Sequence, residues 1–375
     1  MQLADLGAEV IKVERPDGGD VIRAASPFLE GESSTFIRLN RNKRSMTLDL
    51  KDPRGNEIFR SLIKTADVLV ENLSPGSMDK LGLSYEVLSG DNPRLIYLAI
   101  SGWGETGPYA DHSGLDIIAQ AMSGIMSITG EEHGGPVKVG VPVTDLTCGL
   151  YGALAVVSAL FSRVNSGEGQ FIDVTLFESG VSLAVWEAGE YFATGKVHGR
   201  FGTAHQRTAP YQAVESSDGH FCLGATSPST WPALCKVIGR EDLIDEPRYA
   251  TASQRHALRD ELIPQIEAVT RTKPMKHWID ELHAVGVPAG AIQTFDQVFA
   301  ADPQLQFRNF FKDAAHPKLG AVRQIGSPMN LSKTPTRIDT AGPILGYDTI
   351  SVLEELGVDA SEIDQLLNDQ VVTRP

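Results

Sequence analysis

Along the first half of the chain, short apolar runs alternate with stretches of helical spacing. Residues 8–14 and 46–50 read as strands. Pro53–Thr65 follows with apolar positions at helical spacing and a proline near its start, where its missing N–H is tolerated. Residues 68–70 and 95–100 are continuous apolar runs, as in strands covered on both faces. This alternation predicts an α/β fold, an open parallel sheet with helices on both sides. Residues 149–164 are apolar all round, which suits a helix between layers; 171–176 read as a strand and 177–192 as a helix.

After Gly202 the character changes. Residues 211–214 and 221–225, separated by Ser216, Ser217, Asp218 and Gly219, predict a hairpin, and polar amphipathic helices follow near 253–271 and 273–285. The shift places a smaller α+β domain at 209–301, reached from a large domain at 1–188 through a linker at 189–208. Residues 302–375 begin as a linker and end in two short helical patterns within 345–372.

Composition narrows the function classes. The 375 residues are 42% hydrophobic and 22% charged, as in a soluble globular protein, and the length suggests two domains. A formal charge of −15 argues against nucleic-acid and anionic-membrane partners, while leaving room for a local basic patch that binds a small anion. Cys148, Cys222 and Cys235 are far apart and odd in number, which reads as reduced thiols in a reducing compartment. The longest apolar stretch, 150–161, falls short of the roughly 20 residues a membrane span needs. With no signal peptide visible, a cytoplasmic address is expected, or the mitochondrial matrix in a eukaryote.

Familiar chemical motifs are absent. There is no GxxxxGK[ST] loop, no GxGxxG, no GxSxG and no HExxH, and the nine histidines lack metal-ligand spacing, so no metal is expected. The informative stretch is 143–152, where Asp145 stands at the start of the apolar helix. Two readings fit the residues. Asp145 is either an N-cap, accepting free N–H groups, or a nucleophilic carboxylate at a helix terminus that also offers donors to an oxyanion. Gly149 and Gly152 would let a ligand approach that backbone closely.

The order and spacing of several segments settle which reading to carry forward. They run from Ala4-Asp5-Leu6-Gly7-Ala8-Glu9-Val10-Ile11-Lys12-Val13-Glu14-Arg15-Pro16 through Asn42-Lys43-Arg44-Ser45, Val70-Glu71-Asn72-Leu73-Ser74-Pro75-Gly76 and Gly102-Trp103-Gly104. They continue with Asp116-Ile117-Ile118-Ala119-Gln120-Ala121, the Asp145 segment, Leu345-Gly346-Tyr347-Asp348-Thr349 and Leu353-Glu354-Glu355-Leu356-Gly357. Together they resemble the class III CoA-transferases (the CaiB/BaiF type), over nearly the whole chain. The resemblance implies a Rossmann-like large domain with the smaller domain inserted, a C-terminal return to the large domain, and an interlocked homodimer. The connections near 189–208 and 307–340, rich in glycine, proline and polar residues, fit such threading.

It also implies a mechanism. Asp145 attacks an acyl-CoA thioester to give a mixed anhydride and CoA thiolate, and an aspartyl-CoA thioester follows. CoA esters are then substrates, with no cofactor bound permanently. Carried over by position, Arg15, Leu48, Lys51, Asn72, Leu73, Ser74, Lys80, Leu115 and Asp116 are expected to bind CoA, Lys80 standing where close relatives have arginine. Arg41, Lys43 and Arg44 are candidates for the rim only. Relatives carry an opening strand, with a glutamine or equivalent near the thioester, ahead of the point matched by the first residue here. The segment 223–229, matching their flexible lid, is not a glycine run.

Two other classes remain. The related α-methylacyl-CoA racemases use a histidine that falls here on Leu115, which cannot move a proton, and Glu215 is then read as structural. A non-catalytic acyl-CoA binder is the third reading. The run Gly202-Thr203-Ala204-His205 with Ala209-Pro210-Tyr211 is most similar to dicarboxylate-using members such as the succinyl-CoA:glutarate transferases. His205 and Arg207 are therefore candidates to hold a distal carboxylate.

Overall fold

The computed structural model describes residues 1–375, Met1 to Pro375. They form two compact units. The first comprises Met1–Ala119, Pro142–Gly180 and Asp302–Pro375; the second comprises Gln120–Val141 and Val181–Ala301. The second unit thus takes in 120–141 and 181–208 besides the 209–301 block.

The first unit is α/β, and its parallel strands make two pieces instead of the single sheet expected, beside two antiparallel pairs, Phe28–Leu29 with Glu32–Ser33 and Phe311–His316 with Gly320–Ile325. Strand β1 (Val10–Glu14) pairs in parallel with β2 (Lys43–Thr47). Strands β3 (Val68–Glu71), β4 (Ile96–Ser101) and β5 (Gln170–Thr175) form a parallel sheet in that order. Central β4 buries Ile96, Tyr97, Leu98 and Ala99, as its continuous apolar run requires. Each of β1 and β3 has one strand partner, and neither strand is well buried: Val70 is 48% exposed.

Helix α1 (Pro53–Thr65) starts where the sequence places it. Asp52 caps it, accepting from the Arg54 N–H at 2.9 Å, and Pro53 occupies the first turn. Ile58, Phe59 and Ile63 face the core, and a Cβ on Gly55 would lie 2.0 Å from the Asp49 carbonyl oxygen, so only glycine fits there. The C-terminal helices Thr349–Glu355 and Ala360–Asn368 return to this unit and bury Val352, Leu353, Ile363 and Leu366 in the same core. Asp348 stitches them to β2, its carboxylate accepting from the Ser45 N–H at 2.8 Å.

In the second unit, β6 (Tyr211–Ser216) and β7 (Gly219–Gly224) form the expected antiparallel hairpin, extended by β8 (Ala289–Ala291). The segment expected as one helix at 253–271 is two, Ala252–Ala257 and Arg259–Thr270, broken at Leu258. Val214, Phe221, Leu234, Leu262 and Trp278 share the core with them. Glu215 accepts from the Arg271 guanidinium, while its N–H donates to Glu267 at 3.1 Å.

Candidate active site

One helix organises the site. Helix α3 (Val143–Ser166) has 24 residues and closes on Gly167, whose left-handed conformation lets its N–H reach the Arg163 carbonyl at 2.9 Å. It begins six residues before the expected start at 149, so it is also long and apolar enough to cross a membrane by length and composition. Thr144, Cys148, Gly152, Val156 and Ala159 face inward. A Cβ on Gly152 would meet Leu98 Cδ2 at 3.0 Å, which brings this helix close onto β4.

The earlier start changes the reading of Asp145. It lies in the first turn, the cap position is Pro142, and Pro142 makes no side-chain cap bond. The capping carboxylate belongs to Asp116, the first residue of α2 (Asp116–Met122). Its Oδ1 accepts from the Thr144 N–H at 3.0 Å and from the Thr144 hydroxyl at 2.7 Å. Asp145 is left accessible from a large cavity. Partial burial first, and the Asp116 carboxylate second, raise its pKa. One turn on, Gly149 borders the same cavity, and a Cβ there would meet nothing within 4 Å, so the helix backbone is open to a ligand.

The cavity measures about 1940 Å³ and is lined by residues of the first unit alone. That is well above the roughly 300–1,000 Å³ typical of small-molecule pockets. Every residue of β1 and β3 borders it, with apolar walls from Phe59, Leu62 and Ile63 on α1 and Val156 and Leu160 on α3. Arg15, Leu48, Lys51, Asn72, Leu73, Ser74, Leu115, Asp116 and Asp145 all line it. Arg15 is exposed, with the Asp17 carboxylate only at 3.8 Å.

Other expected residues sit elsewhere. Lys80 ends the one-turn helix Ser77–Lys80, which turns Met78 toward the cavity and leaves Lys80 exposed and off its wall. His205 and Arg207 lie in the second unit. Arg207 Nε is 2.7 Å from Glu190, and its N–H donates to His205 Nδ1 at 3.1 Å. Among the rim candidates, Arg41 is buried in a two-point pair with Asp5 (3.0 and 2.6 Å), and Arg44 is held by Glu355 and Glu9. Lys43 does border the cavity, where burial first, then Lys12, lowers its pKa to about 8.

Three residues within the quoted segments had no role of their own in the sequence reading. Thr144 joins Asp116 to the Asp145 turn. Glu71 accepts from the Leu73 N–H at 2.7 Å and so anchors the 72–74 loop; burial, then Glu105 and Asp173, push its pKa up to about 7. Gly102 touches Gly114 so closely that a Cβ on Gly102 would lie 2.7 Å from Gly114 Cα, and this contact sets the loop that leads into Asp116. The neighbouring motif Gly102-Trp103-Gly104 was visible, but nothing in one sequence pairs it with Gly114.

Residues 1–349 match CoA-transferase family III. The chain is 38% identical over 374 residues to the succinyl-CoA:glutarate CoA-transferase of Mus musculus, covering 99% of this chain and 86% of that protein. It is 39% identical over 361 residues to the succinate–glutarate CoA-transferase of Agrobacterium fabrum, covering 94% and 90%. A crystal structure of a CaiB/BaiF family protein from Brucella suis superposes with a TM-score of 0.83 at 38% identity, over 94% of this chain and 93% of that one. This mixed α/β chain is therefore an enzyme of CoA-transferase family III.

Proposed function

We propose that this enzyme moves CoA from succinyl-CoA to a second dicarboxylic acid, with Asp145 as covalent nucleophile. The observation that carries the reading is the placement of an accessible carboxylate in the first turn of α3, on the wall of a cavity large enough for a CoA ester. Arg15 and Lys51 supply cations for phosphates, and Leu48 with the Asn72–Leu73–Ser74 loop offers an apolar and hydrogen-bonding bed for adenine.

The chemistry follows from the position. An Asp145 oxygen attacks the thioester carbonyl, the C–S bond breaks, and its electron pair leaves on the CoA sulfur. The thiolate then attacks the aspartyl carbonyl of the anhydride and releases the first acid. The second acid attacks the resulting thioester carbonyl to form a new anhydride, and CoA returns to its acyl group. Thioester energy is kept throughout. Leu115 offers no proton to transfer, which disfavours the racemase reading. The names of the relatives favour glutarate as acceptor. Arg207 is already neutralised by Glu190, so a distal substrate carboxylate would have to displace that partner.

The reading includes a homodimer. Leu154, Phe161, Trp186, Phe192 and Phe307 are 62–88% exposed, more bulky apolar surface than a lone chain ordinarily leaves in water. A second copy of the chain would cover it; a monomer mass by light scattering at micromolar concentration would count against this. The function is tested by mixing the enzyme with succinyl-CoA and a panel of acids, and following each CoA ester by chromatography. New esters, glutaryl-CoA among them, are expected. Hydrolysis alone, or no change with any acid, would remove the assignment.

A further inference from the structure

Asp116 was expected to contact CoA, yet its carboxylate is turned to a different task. It is the group that holds the first turn of α3, through both the backbone N–H and the hydroxyl of Thr144, and the Thr144 hydroxyl also lies 3.3 Å from the Asp116 carbonyl oxygen. Thr144 is fully buried, while Asp116 is half-buried on the cavity wall, so the joint is partly buried. The next residue is Asp145. The close Gly102–Gly114 contact fixes the chain that leads into Asp116, and the Trp103 ring packs on Tyr109 and Phe177 at 5.7 and 5.5 Å, stiffening the same loop.

We propose that Asp116 is a positioning residue for Asp145: it aims the nucleophile through Thr144, and its negative charge favours the covalent states of Asp145 over the free carboxylate. The inference rests on Asp145 being the nucleophile. The charge argument follows from the bonds. When an Asp145 oxygen bonds to the acyl carbon, the C–S bond breaks and the negative charge leaves on the CoA sulfur. Residue 145 is then neutral, as an anhydride and later as a thioester. A like charge bonded to the residue beside it destabilises Asp145 itself as a free carboxylate and not as a neutral adduct, so it favours moving the charge off residue 145 onto the CoA sulfur or the released acid.

The surroundings leave this effect uncancelled. Asp116 from α2 is the titratable group that acts on Asp145, and Asp145 acts in turn on the buried Cys148 thiol of α3. Burial pushes Cys148 up to about 11, so it stays neutral at physiological pH, and Asp173 on β5 acts on that thiol. No cation is among the groups that shift Asp145.

The test compares Asp116→Asn, Thr144→Ser and Thr144→Val in the full-length protein. Asparagine keeps an oxygen that can accept from Thr144 while removing the charge; serine keeps the hydroxyl; valine removes it. Each protein is mixed with succinyl-CoA, quenched in acid, and analysed by mass spectrometry for adduct on the peptide containing Asp145, across a pH series. For Asp116→Asn the expected result is less adduct at steady state and a lower pH midpoint. Thr144→Val should slow adduct formation and keep the midpoint, and Thr144→Ser should restore the rate. A merely structural role would alter melting temperature and leave the midpoint in place. An unchanged midpoint and adduct level in Asp116→Asn would overturn the proposal, and so would a Thr144→Val protein that reacts at the normal rate. Should Asp116→Asn fail to fold, the two Thr144 variants still decide the positioning role. Absence of adduct at Asp145 in the unaltered enzyme is a separate outcome, which would remove the nucleophile and with it this inference.

Discussion

Replacing Gly102 by alanine probes the site from outside the reacting groups. The added Cβ would lie 2.7 Å from Gly114 Cα and 3.3 Å from Gly114 N, both backbone atoms that cannot rotate aside. Ordinary carbon–carbon contact needs roughly 3.5–4.0 Å, so the 114–116 segment must retreat by about 1 Å. Overpacking of this kind costs about 1–3 kcal/mol of stability. Losing the Asp116 cap on α3 would add about 0.5–2 kcal/mol if the retreat breaks it. The functional cost should be larger in proportion, since a displacement near 1 Å at a reacting group can lower turnover by about 10²-fold. Thermal unfolding gives the first quantity, and steady-state transfer from succinyl-CoA gives the second. The Michaelis constant for the donor should change less than kcat, because Arg15 and the 72–74 loop lie on other segments. A Gly102→Ala protein with unaltered melting temperature and kcat would refute the claim that this contact sets the site.

Three further outcomes follow from named contacts. Arg41→Met strands the buried Asp5 carboxylate, and chemical denaturation should show a loss of about 3–5 kcal/mol, largely recovered in Asp5→Asn/Arg41→Met. For Glu71, the folded carboxyl titrates near 7 against an ordinary 4.5, so the folded state holds the extra proton between those values. Stability should therefore fall as pH rises from about 4.5 to about 7 and level off above. Glu71→Gln should remove that fall and be the more stable protein at pH 8 by about 1 kcal/mol, allowing for solvent in the cavity, as read from urea unfolding at both ends of the range. Arg15→Ala should weaken donor binding by about 1.5–3 kcal/mol with little change in kcat, and an unchanged Michaelis constant for the donor would take Arg15 out of the site.

Much of the first unit could be read from local pattern because local physics decides it. α1 carries its own cap and proline, and β4 its own continuous apolar run. The hairpin of β6 and β7 is announced by the Ser217-Asp218-Gly219 turn. What could not be read rests on distant partners. α3 starts at Val143 because Asp116, nearly thirty positions earlier, bonds to Thr144; without that contact the apolar period alone points to Gly149. The same gap left the cap open as a second reading of Asp145. Arg41 looked like rim charge because its cluster with Lys43 and Arg44 is basic in sequence, whereas Asp5 neutralises it inside the protein. Separation of the parallel strands into two pieces likewise depends on which strands meet, and no run of residues encodes that by itself.

The central claim is that Asp145 carries the acyl group and then CoA. Asp145→Asn keeps the shape of the side chain but cannot form an anhydride, and should fold, bind CoA esters and lose turnover by several orders of magnitude. The most direct measurement traps the activated carboxyl itself. Hydroxylamine added during turnover with succinyl-CoA, followed by peptide mass spectrometry, should place a hydroxamate on the peptide containing Asp145 and on no other. Label on another carboxylate such as Asp116 or Glu215, or near-normal transfer by Asp145→Asn, would contradict the account.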